Sequence, residues 1–130
     1  MQEFPTDIDS IYQRRHSIDP TKYASSRNYV DGAVTYLSPY ISRGVISTKQ
    51  VYQEIKKLEL PWGRAEKLIQ ELSWRDYWQQ VWLAKGDLIF TDLKQAQTGV
   101  NHYKIPKAIV EAKTGVNAVD EALEVLFTTG

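Results

Sequence analysis

Aromatic and charged side chains are interleaved in the segment QELSWRDYWQQVW. It holds three of the four tryptophans of the chain, Trp74, Trp78 and Trp82, together with Glu71 and Arg75. Indole rings can stack on a flat aromatic ligand, while a carboxylate and a guanidinium orient its polar edge. The segment therefore predicts one wall of a ligand pocket. The spacing also fits an alternative, an i,i+4 ion pair between Glu71 and Arg75 on an ordinary core helix.

A long helix is predicted to position these side chains, from about Arg64 to Lys85, with Gly86 as its C-terminal stop. The five side chains named above share one broad face of that helix, here called the aromatic arc, and polar residues occupy only a narrow strip. A helix that is apolar nearly all round is normally buried in a larger body. A charge in such surroundings is costly unless it is paired or used.

Short helices are predicted along the rest of the chain by capping, proline and glycine signals. The predicted starts are Thr6 with Asp9, Asp19 before Pro20 (a helix through Tyr23), Ser38 before Pro39, Ser47 with Gln50, Pro106 and Asn117. The predicted interruptions are a turn at Asp31-Gly32, a stop at Gly44 and a break at Pro61 and Gly63. The weakly patterned residues 87–104 are predicted to form a loop with a short helical turn. Val51, Ile55 and Leu58 form one predicted buried stripe. With no strand pattern and no repeat, the predicted fold class is all-α.

The composition limits the function. The chain has 130 residues, 42% of them hydrophobic, with 16 basic and 16 acidic side chains. A chain without net charge can bind nucleic acid only through a local basic patch. There is no cysteine, which excludes disulfides and thiolate metal sites. No signal-peptide core and no membrane-spanning window is present, so we expect a cytoplasmic protein. His16 and His102 are predicted to be isolated surface residues, and no metal-ligand spacing exists.

Three segments together resemble the photolyase/cryptochrome flavoprotein family. In chain order they are KYASSRNYVDGAVTYLSPYISRGVIS, QELSWRDYW and KAIVEAKTGVNAVDEAL. The resemblance covers nearly the whole chain. It implies that residues 1–130 are the first half of the family's α-helical FAD-binding domain, without the antenna domain and without the C-terminal half.

The resemblance implies an FAD site and a substrate site at matching positions. The residues that match the segment holding the FAD phosphates are Tyr23, Val34, Thr35, Tyr36, Leu37 and Ser38. Hydroxyl and backbone N–H groups at a helix start suit an anion, and Ser38 can also serve as a helix N-cap. Arg75 matches an arginine that lies against the flavin ring. Glu71 and Trp74 match the catalytic pair that contacts the pyrimidine dimer. Arg27 matches an arginine on DNA phosphate, and Trp78 takes a nearby aromatic position, assigned to DNA contact or to the core.

The implied activity is that of a deoxyribodipyrimidine photolyase, a DNA-repair lyase in which excited reduced FAD gives an electron to a cyclobutane pyrimidine dimer. Such a dimer has to be flipped out of the duplex. Because the family's residues opposite flavin N5 would follow Gly130, we expect this chain alone to be incomplete or inactive and to bind FAD weakly. We also expect a homo-oligomer that covers the aromatic arc. The alternatives are a cryptochrome-like signalling module and a non-enzymatic helical remnant. Glu71 favours repair, since many signalling cryptochromes carry glutamine there.

Overall fold

The computed structural model describes residues 3–130, which form helices and loops with no β-strand among them. The predicted all-α class is confirmed. The helices are α1 (Ile8–His16), α2 (Pro20–Ser26), α3 (Ser38–Ser42), α4 (Thr48–Lys57), α5 (Trp62–Lys85), a 3₁₀ turn (Gly86–Phe90), α6 (Lys107–Val110) and α7 (Asn117–Thr129). The chain separates into two compact units, the first ending at Ile89 and the second running over Phe90–Gly130. The interpretation of residues 1–130 as one partial FAD-binding domain stays a prediction.

The first two helices begin at acidic caps. The cap of α1 is Asp7, whose side chain accepts a hydrogen bond from the Ser10 N–H at 2.8 Å, so the prediction of Thr6 with Asp9 is wrong. An aspartate is at least as good an N-cap as a threonine, and here it stands one residue later. Asp19 caps α2 as predicted, although α2 continues to Ser26 rather than ending near Tyr23.

Helix α3 begins one residue earlier than its sequence indicates. Leu37 is the N-cap, and Ser38 is already helical with no side-chain cap, so the prediction of Ser38 as the cap is wrong. The Leu37 carbonyl accepts from the N–H groups of Tyr40 and Ile41. Pro39 has no N–H to satisfy, which reduces the need for a side-chain cap. Gly44, with φ of 73°, follows the helix in the left-handed conformation that a glycine stop requires.

The capping box predicted for α4 is confirmed. Ser47 accepts from the Gln50 N–H at 3.1 Å, and the Gln50 side chain accepts from the Ser47 N–H at 2.8 Å. Val51 and Ile55 are buried as predicted, but Leu58 is 41% exposed. Leu58 is the C-cap of α4, where the helical period ends and no longer directs the side chain inward.

Helix α5 is longer than predicted at its start. It begins at Trp62 after Pro61, so Gly63 lies inside its first turn instead of breaking the chain. Its predicted end is confirmed, because Gly86 is the C-cap with φ of 53°. Only Ala65 and Leu68 of this helix are buried, which leaves its C-terminal half exposed.

The core of the first unit lies among α1, α3, α4 and the first half of α5. Its buried side chains are Ile11, Ile18, Leu37, Tyr40, Ile46, Val51, Ile55, Ala65 and Leu68. Helix α2 packs along α5, α4 also packs on α5, and α1 packs on α4. Burial of one Leu, Ile or Val side chain stabilises a fold by roughly 1.5–3 kcal/mol. This core therefore fixes the platform from which α2 and α5 present polar side chains.

The second unit has no buried side chain between residues 90 and 130. Of the two helices predicted here, α7 begins at Asn117 as expected, whereas α6 is a single turn. Ala112 takes a left-handed φ of 52° just after α6 and ends it. Asp120, in the first turn of α7, accepts hydrogen bonds from the backbone N–H groups of Thr114 and Gly115, at 2.8 and 3.1 Å. The hydrogen bond from the Thr114 hydroxyl, and then those from the two N–H groups, hold the pKa of the Asp120 carboxyl below its usual range.

Candidate functional site

A cavity of about 390 Å³ opens between α1, α2 and the chain segment that leads to α3. We call it the α1–α2 pocket. Its lining residues are Arg14, Ser17, Ile18, Asp19, Lys22, Tyr23, Ala33, Val34, Thr35 and Tyr36. It contains two cationic side chains, one carboxylate and several hydroxyl groups, a set that suits a small anionic group with hydrogen-bond acceptors.

The segment 33–36 is held against α2 by a close backbone approach. A Cβ on Gly32 would lie 1.8 Å from the Ser26 carbonyl oxygen, so any side chain there would push the segment away. The Ser26 hydroxyl oxygen accepts from the Ala33 N–H at 2.9 Å. Tyr36 then takes a positive φ of 53°. A non-glycine residue in this conformation costs of order 1–3 kcal/mol, which the surrounding contacts must offset.

Arg14, in the last turn of α1, contacts a carbonyl oxygen and two aromatic rings. Its Nη2 donates to the Glu3 carbonyl oxygen at 2.8 Å. The centre of its guanidinium lies 5.5 Å from the Phe4 ring centroid and 5.9 Å from that of Tyr36, which are cation–π distances. Nη1 is buried and has no hydrogen-bond partner among the described residues.

Tyr23 connects this pocket with α5. Burial, and next the negative charge of Glu71, raise the pKa of the Tyr23 phenol, while the charge of Arg27 opposes them. Arg27 lies 5.9 Å from the Tyr23 ring and donates to the Ala24 carbonyl oxygen at 3.1 Å. The hydroxyl of Tyr23 thus stays protonated at neutral pH and can act as a hydrogen-bond donor.

Aromatic rings line the exposed side of α5. The Trp74 and Tyr77 ring centroids are 5.5 Å apart, and those of Tyr77 and Trp78 are 5.3 Å apart, both edge-to-face. Trp74 and Trp82 are 54% and 55% exposed. The aromatic arc is therefore partly uncovered, as expected for this chain, rather than buried in the first unit.

The charged members of the arc have different surroundings. Glu71 forms an ion pair with Lys67, Nζ to Oε1 3.4 Å, instead of the Glu71–Arg75 pair of the simpler alternative. Arg75 lines an open groove of about 570 Å³ with Trp78, Gln79, Trp82 and Leu83. Its Nε is buried and has no hydrogen-bond partner among residues 3–130.

Four of the six residues matched to the FAD-phosphate segment, Tyr23, Val34, Thr35 and Tyr36, line one cavity. The other two do not: the Leu37 side chain is buried in the core, 1% exposed, and Ser38 is exposed on α3. Sequence reasoning missed Arg14 and Lys22. In the sequence they are only one member of a basic pair at the end of α1 and a lysine one residue before Tyr23. Neither position indicates a pocket, because the contact with segment 33–36 joins residues far apart in the chain.

His16 is exposed, as predicted, but it is not isolated. Its Nδ1 lies 2.8 Å from Oε2 of the buried Glu54, which also contacts Lys57 Nζ at 2.8 Å and Arg15 Nη2 at 3.6 Å. The hydrogen bond from Lys57, with that from His16, holds the pKa of the Glu54 carboxyl below its ordinary 4.5, against the effect of burial. This cluster ties α1 to α4. His102 is exposed, as predicted.

Residues 3–130 contain neither a metal site nor a membrane-spanning helix. No three histidine, aspartate or glutamate side chains in this range come together as a metal site would require. Nor does any helix in the described part of the chain have the length and apolarity needed to cross a membrane.

Comparison with known proteins gives relatives of one kind. The chain is 34% identical over 116 residues to cryptochrome DASH of Danio rerio, an alignment that covers 83% of this chain and 22% of that protein. It is 32% identical over 115 residues to the deoxyribodipyrimidine photo-lyase of Thermus thermophilus, covering 84% of this chain and 26% of that protein. The chain belongs to the photolyase/cryptochrome family. A photo-lyase of Alkalihalophilus pseudofirmus is 28% identical over 97 residues, covering 72% of this chain and 20% of that protein.

The chain spans only about a fifth to a quarter of the length of these photolyase and cryptochrome relatives. No family model matches it, and no solved structure matches it. The predicted family is thus confirmed by the relatives, whereas the roles of individual residues stay predictions.

Proposed function

We propose that the chain forms a flavin- and DNA-binding region of a light-driven lyase that repairs cyclobutane pyrimidine dimers. The observation that carries the proposal is the α1–α2 pocket, where four residues matched to the family's FAD-phosphate segment share one cavity with Arg14 and Lys22. The donors present fit the phosphate part of FAD, because both cations and the Tyr23 and Thr35 hydroxyls can serve phosphate oxygens. When bound, FAD would supply the excited-state electron for opening the dimer.

The residues of α5 have separate tasks in this proposal. Trp74 stacks on the flipped pyrimidine rings, and Glu71 binds their polar edge by a hydrogen bond. Arg75, which lines the open groove, donates to the flavin side of the site. Arg27 and Trp78 contact the DNA that surrounds the lesion. Adjacency of Tyr23 and Glu71 supports one continuous site, because the charge of Glu71 affects the pKa of the Tyr23 phenol.

The test is a binding comparison on the purified chain. We expect FAD to bind more tightly than riboflavin, since only FAD carries the pyrophosphate that the α1–α2 pocket would hold. In the presence of FAD, an oligonucleotide with one cyclobutane dimer should bind more tightly than the same oligonucleotide undamaged. Equal affinities for FAD and riboflavin, together with equal affinities for the two oligonucleotides, would contradict the proposal.

A cryptochrome-like signalling module is the second candidate, because the relatives include proteins named cryptochrome DASH. It predicts the same preference for FAD over riboflavin but no preference for the damaged oligonucleotide. A non-enzymatic remnant predicts neither preference. The same two titrations therefore separate all three functions.

We also propose that, when no DNA is bound, a second copy of the chain covers the aromatic arc. The half-exposed Trp74, Trp78 and Trp82 support this, since large exposed apolar patches on proteins usually mark interaction surfaces.

A further inference from the structure

We propose that Arg14 is the phosphate-recognising side chain of the α1–α2 pocket, and that residues 3–5 (the N-terminal strap) position it. The identity of the nucleotide as FAD rests on the proposed function, whereas the binding of an anion by Arg14 does not. It assigns a role to a residue outside all the matched motifs. The ligand chemistry is a phosphate or pyrophosphate group, either free or carried by a dinucleotide.

The guanidinium of Arg14 is held from three sides. The Glu3 carbonyl oxygen accepts from Nη2 at 2.8 Å, and the rings of Phe4 and Tyr36 flank the group at 5.5 and 5.9 Å. A planar guanidinium fixed in this way loses little conformational entropy when it binds an oxyanion, so its hydrogen bonds contribute more to affinity.

The N-terminal strap is itself anchored in the core. The hydroxyl of Tyr40, a side chain only 7% exposed, donates to the Pro5 carbonyl oxygen at 2.9 Å. Phe4 packs edge-on against Tyr36 with centroids 6.2 Å apart, and lies 6.4 Å from the Tyr40 ring. The strap thus connects the buried Tyr40 with the guanidinium at the pocket, which is the arrangement that a positioning element requires.

The charges around the pocket single out Arg14. The other cation is Lys22, whose Nζ lies 3.8 Å from Asp19 Oδ2. The second oxygen of that carboxylate, Oδ1, accepts from the backbone N–H of Lys22. Lys22 and Asp19 thus offset one another. The acceptor that Arg14 uses is a neutral carbonyl oxygen, which leaves its positive charge for an anion.

The neighbouring Arg15 offers a matched control on the same helix turn. Its Nε is also buried without a hydrogen-bond partner among residues 3–130, but its Nη2 lies 3.6 Å from the Glu54 carboxylate and its guanidinium lies 4.5 Å from the Tyr12 ring centroid. Arg15 therefore belongs to the contact between α1 and α4, and its removal takes one positive charge from α1 without touching the pocket.

The experiment is calorimetric titration of the full chain with inorganic pyrophosphate at low ionic strength. Arg14→Gln should weaken binding at least about tenfold, the usual effect of losing a charge-assisted hydrogen bond. Arg14→Lys should recover part of this loss, because it keeps the charge but not the planar fork. Arg15→Gln should lower the melting temperature while leaving pyrophosphate affinity within about twofold.

The strap is tested separately at Phe4. Phe4→Ala should weaken pyrophosphate binding about threefold to tenfold, whereas Phe4→Tyr, which keeps the ring, should bind as the wild type does. The inference is overturned if the wild-type chain does not bind pyrophosphate, if Arg14→Gln binds like wild type, or if Arg15→Gln loses as much affinity as Arg14→Gln. It is also overturned if the two Phe4 variants behave alike.

Failure of this inference can be distinguished from failure of the proposed function. If FAD binds more tightly than riboflavin in both wild type and Arg14→Gln, the flavin site stands and the role of Arg14 is wrong. If pyrophosphate binding depends on Arg14 but FAD binds no better than pyrophosphate, recognition of the anion stands and the flavin proposal fails.

Discussion

Among the individual side chains, Tyr23 lies where the two groups of candidate residues meet. It lines the α1–α2 pocket, and its phenol responds to the charge of Glu71 on α5. Because burial and that charge both raise the pKa of the phenol, Tyr23 remains a hydrogen-bond donor over the whole neutral range. A ligand with both a phosphate group and a ring system could therefore contact the α1–α2 pocket and the candidate residues of α5 at the same time.

Three substitutions on α5 test whether its charged and aromatic residues act on different ligands. Trp74→Ala should weaken binding of dimer-containing DNA by about 1–3 kcal/mol, the usual contribution of a base–aromatic stack. Glu71→Gln should also weaken dimer binding while leaving FAD affinity nearly unchanged, and Arg75→Gln should reduce FAD affinity instead. Fluorescence titration and thermal melting of the three variants give the comparison.

Trp62→Ala is the matched control, since Trp62 is exposed on the same helix, 62% against 54% for Trp74, but lies outside the three matched segments and outside the groove that Arg75 lines. It should leave both affinities intact. Equal losses of stability in Glu71→Gln and Arg75→Gln, without a split between FAD and DNA binding, would refute the assignment of roles on α5.

Glu54 gives the first unit a defined acid sensitivity. Its carboxyl has a lowered pKa, so its contribution to stability is present above the unfolded value of 4.5 and is lost as the pH falls through the folded value. Below about pH 4.5, the free energy of unfolding should therefore decrease more in the wild type than in Glu54→Gln. Glu54→Gln should also cost about 1–3 kcal/mol at neutral pH, because its charge-assisted hydrogen bonds are weakened.

Urea unfolding of both proteins between about pH 7 and about pH 3.5 measures the difference. Glu121→Gln, an exposed carboxylate on α7, controls for the general effect of removing one negative charge. If wild type and Glu54→Gln lose stability in parallel as the pH falls, the cluster around Glu54 makes no pH-dependent contribution.

The secondary-structure elements show which features were accessible from sequence. The capping box of Ser47 with Gln50 and the Asp19-Pro20 start were predictable because a few neighbouring residues fix them. Leu58 and Ser38 were misassigned where a helix ended or began one residue away from the expected position. The Arg14 contacts could not be predicted, because they depend on α1, the N-terminal strap and Tyr36 meeting in space.

The capping box permits a direct measurement of how much the start of α4 contributes. Ser47→Ala removes the acceptor of the Gln50 N–H and should destabilise the protein by about 0.5–2 kcal/mol. Ser73→Ala, a substitution within α5 whose exposed hydroxyl only donates back to the Ile69 carbonyl oxygen, should change stability by less than about 0.5 kcal/mol. Thermal melting of both variants is sufficient, and equal shifts would show that the box contributes nothing specific.

For the molecule as a whole, the distribution of buried side chains decides which surfaces remain to be covered. All core residues lie in the first unit, and they surround α4 and only the first half of α5. The second half of α5 exposes large rings whose burial would release a substantial hydrophobic free energy. No net electrostatic repulsion between copies opposes association, because the chain has no net charge at neutral pH.

Self-association through the aromatic arc is the resulting prediction. Light scattering at high micromolar concentration should give a dimer or a higher oligomer, because two apolar faces would shield each other from water. Trp78→Lys should shift the mass towards the monomer, since a charge at the centre of such an interface is costly to desolvate. Tyr103→Lys, which places the same charge on an exposed aromatic position outside α5, should leave the mass unchanged. A strict monomer in the wild type, or equal dissociation by both lysine variants, would exclude the arc as the interface between copies.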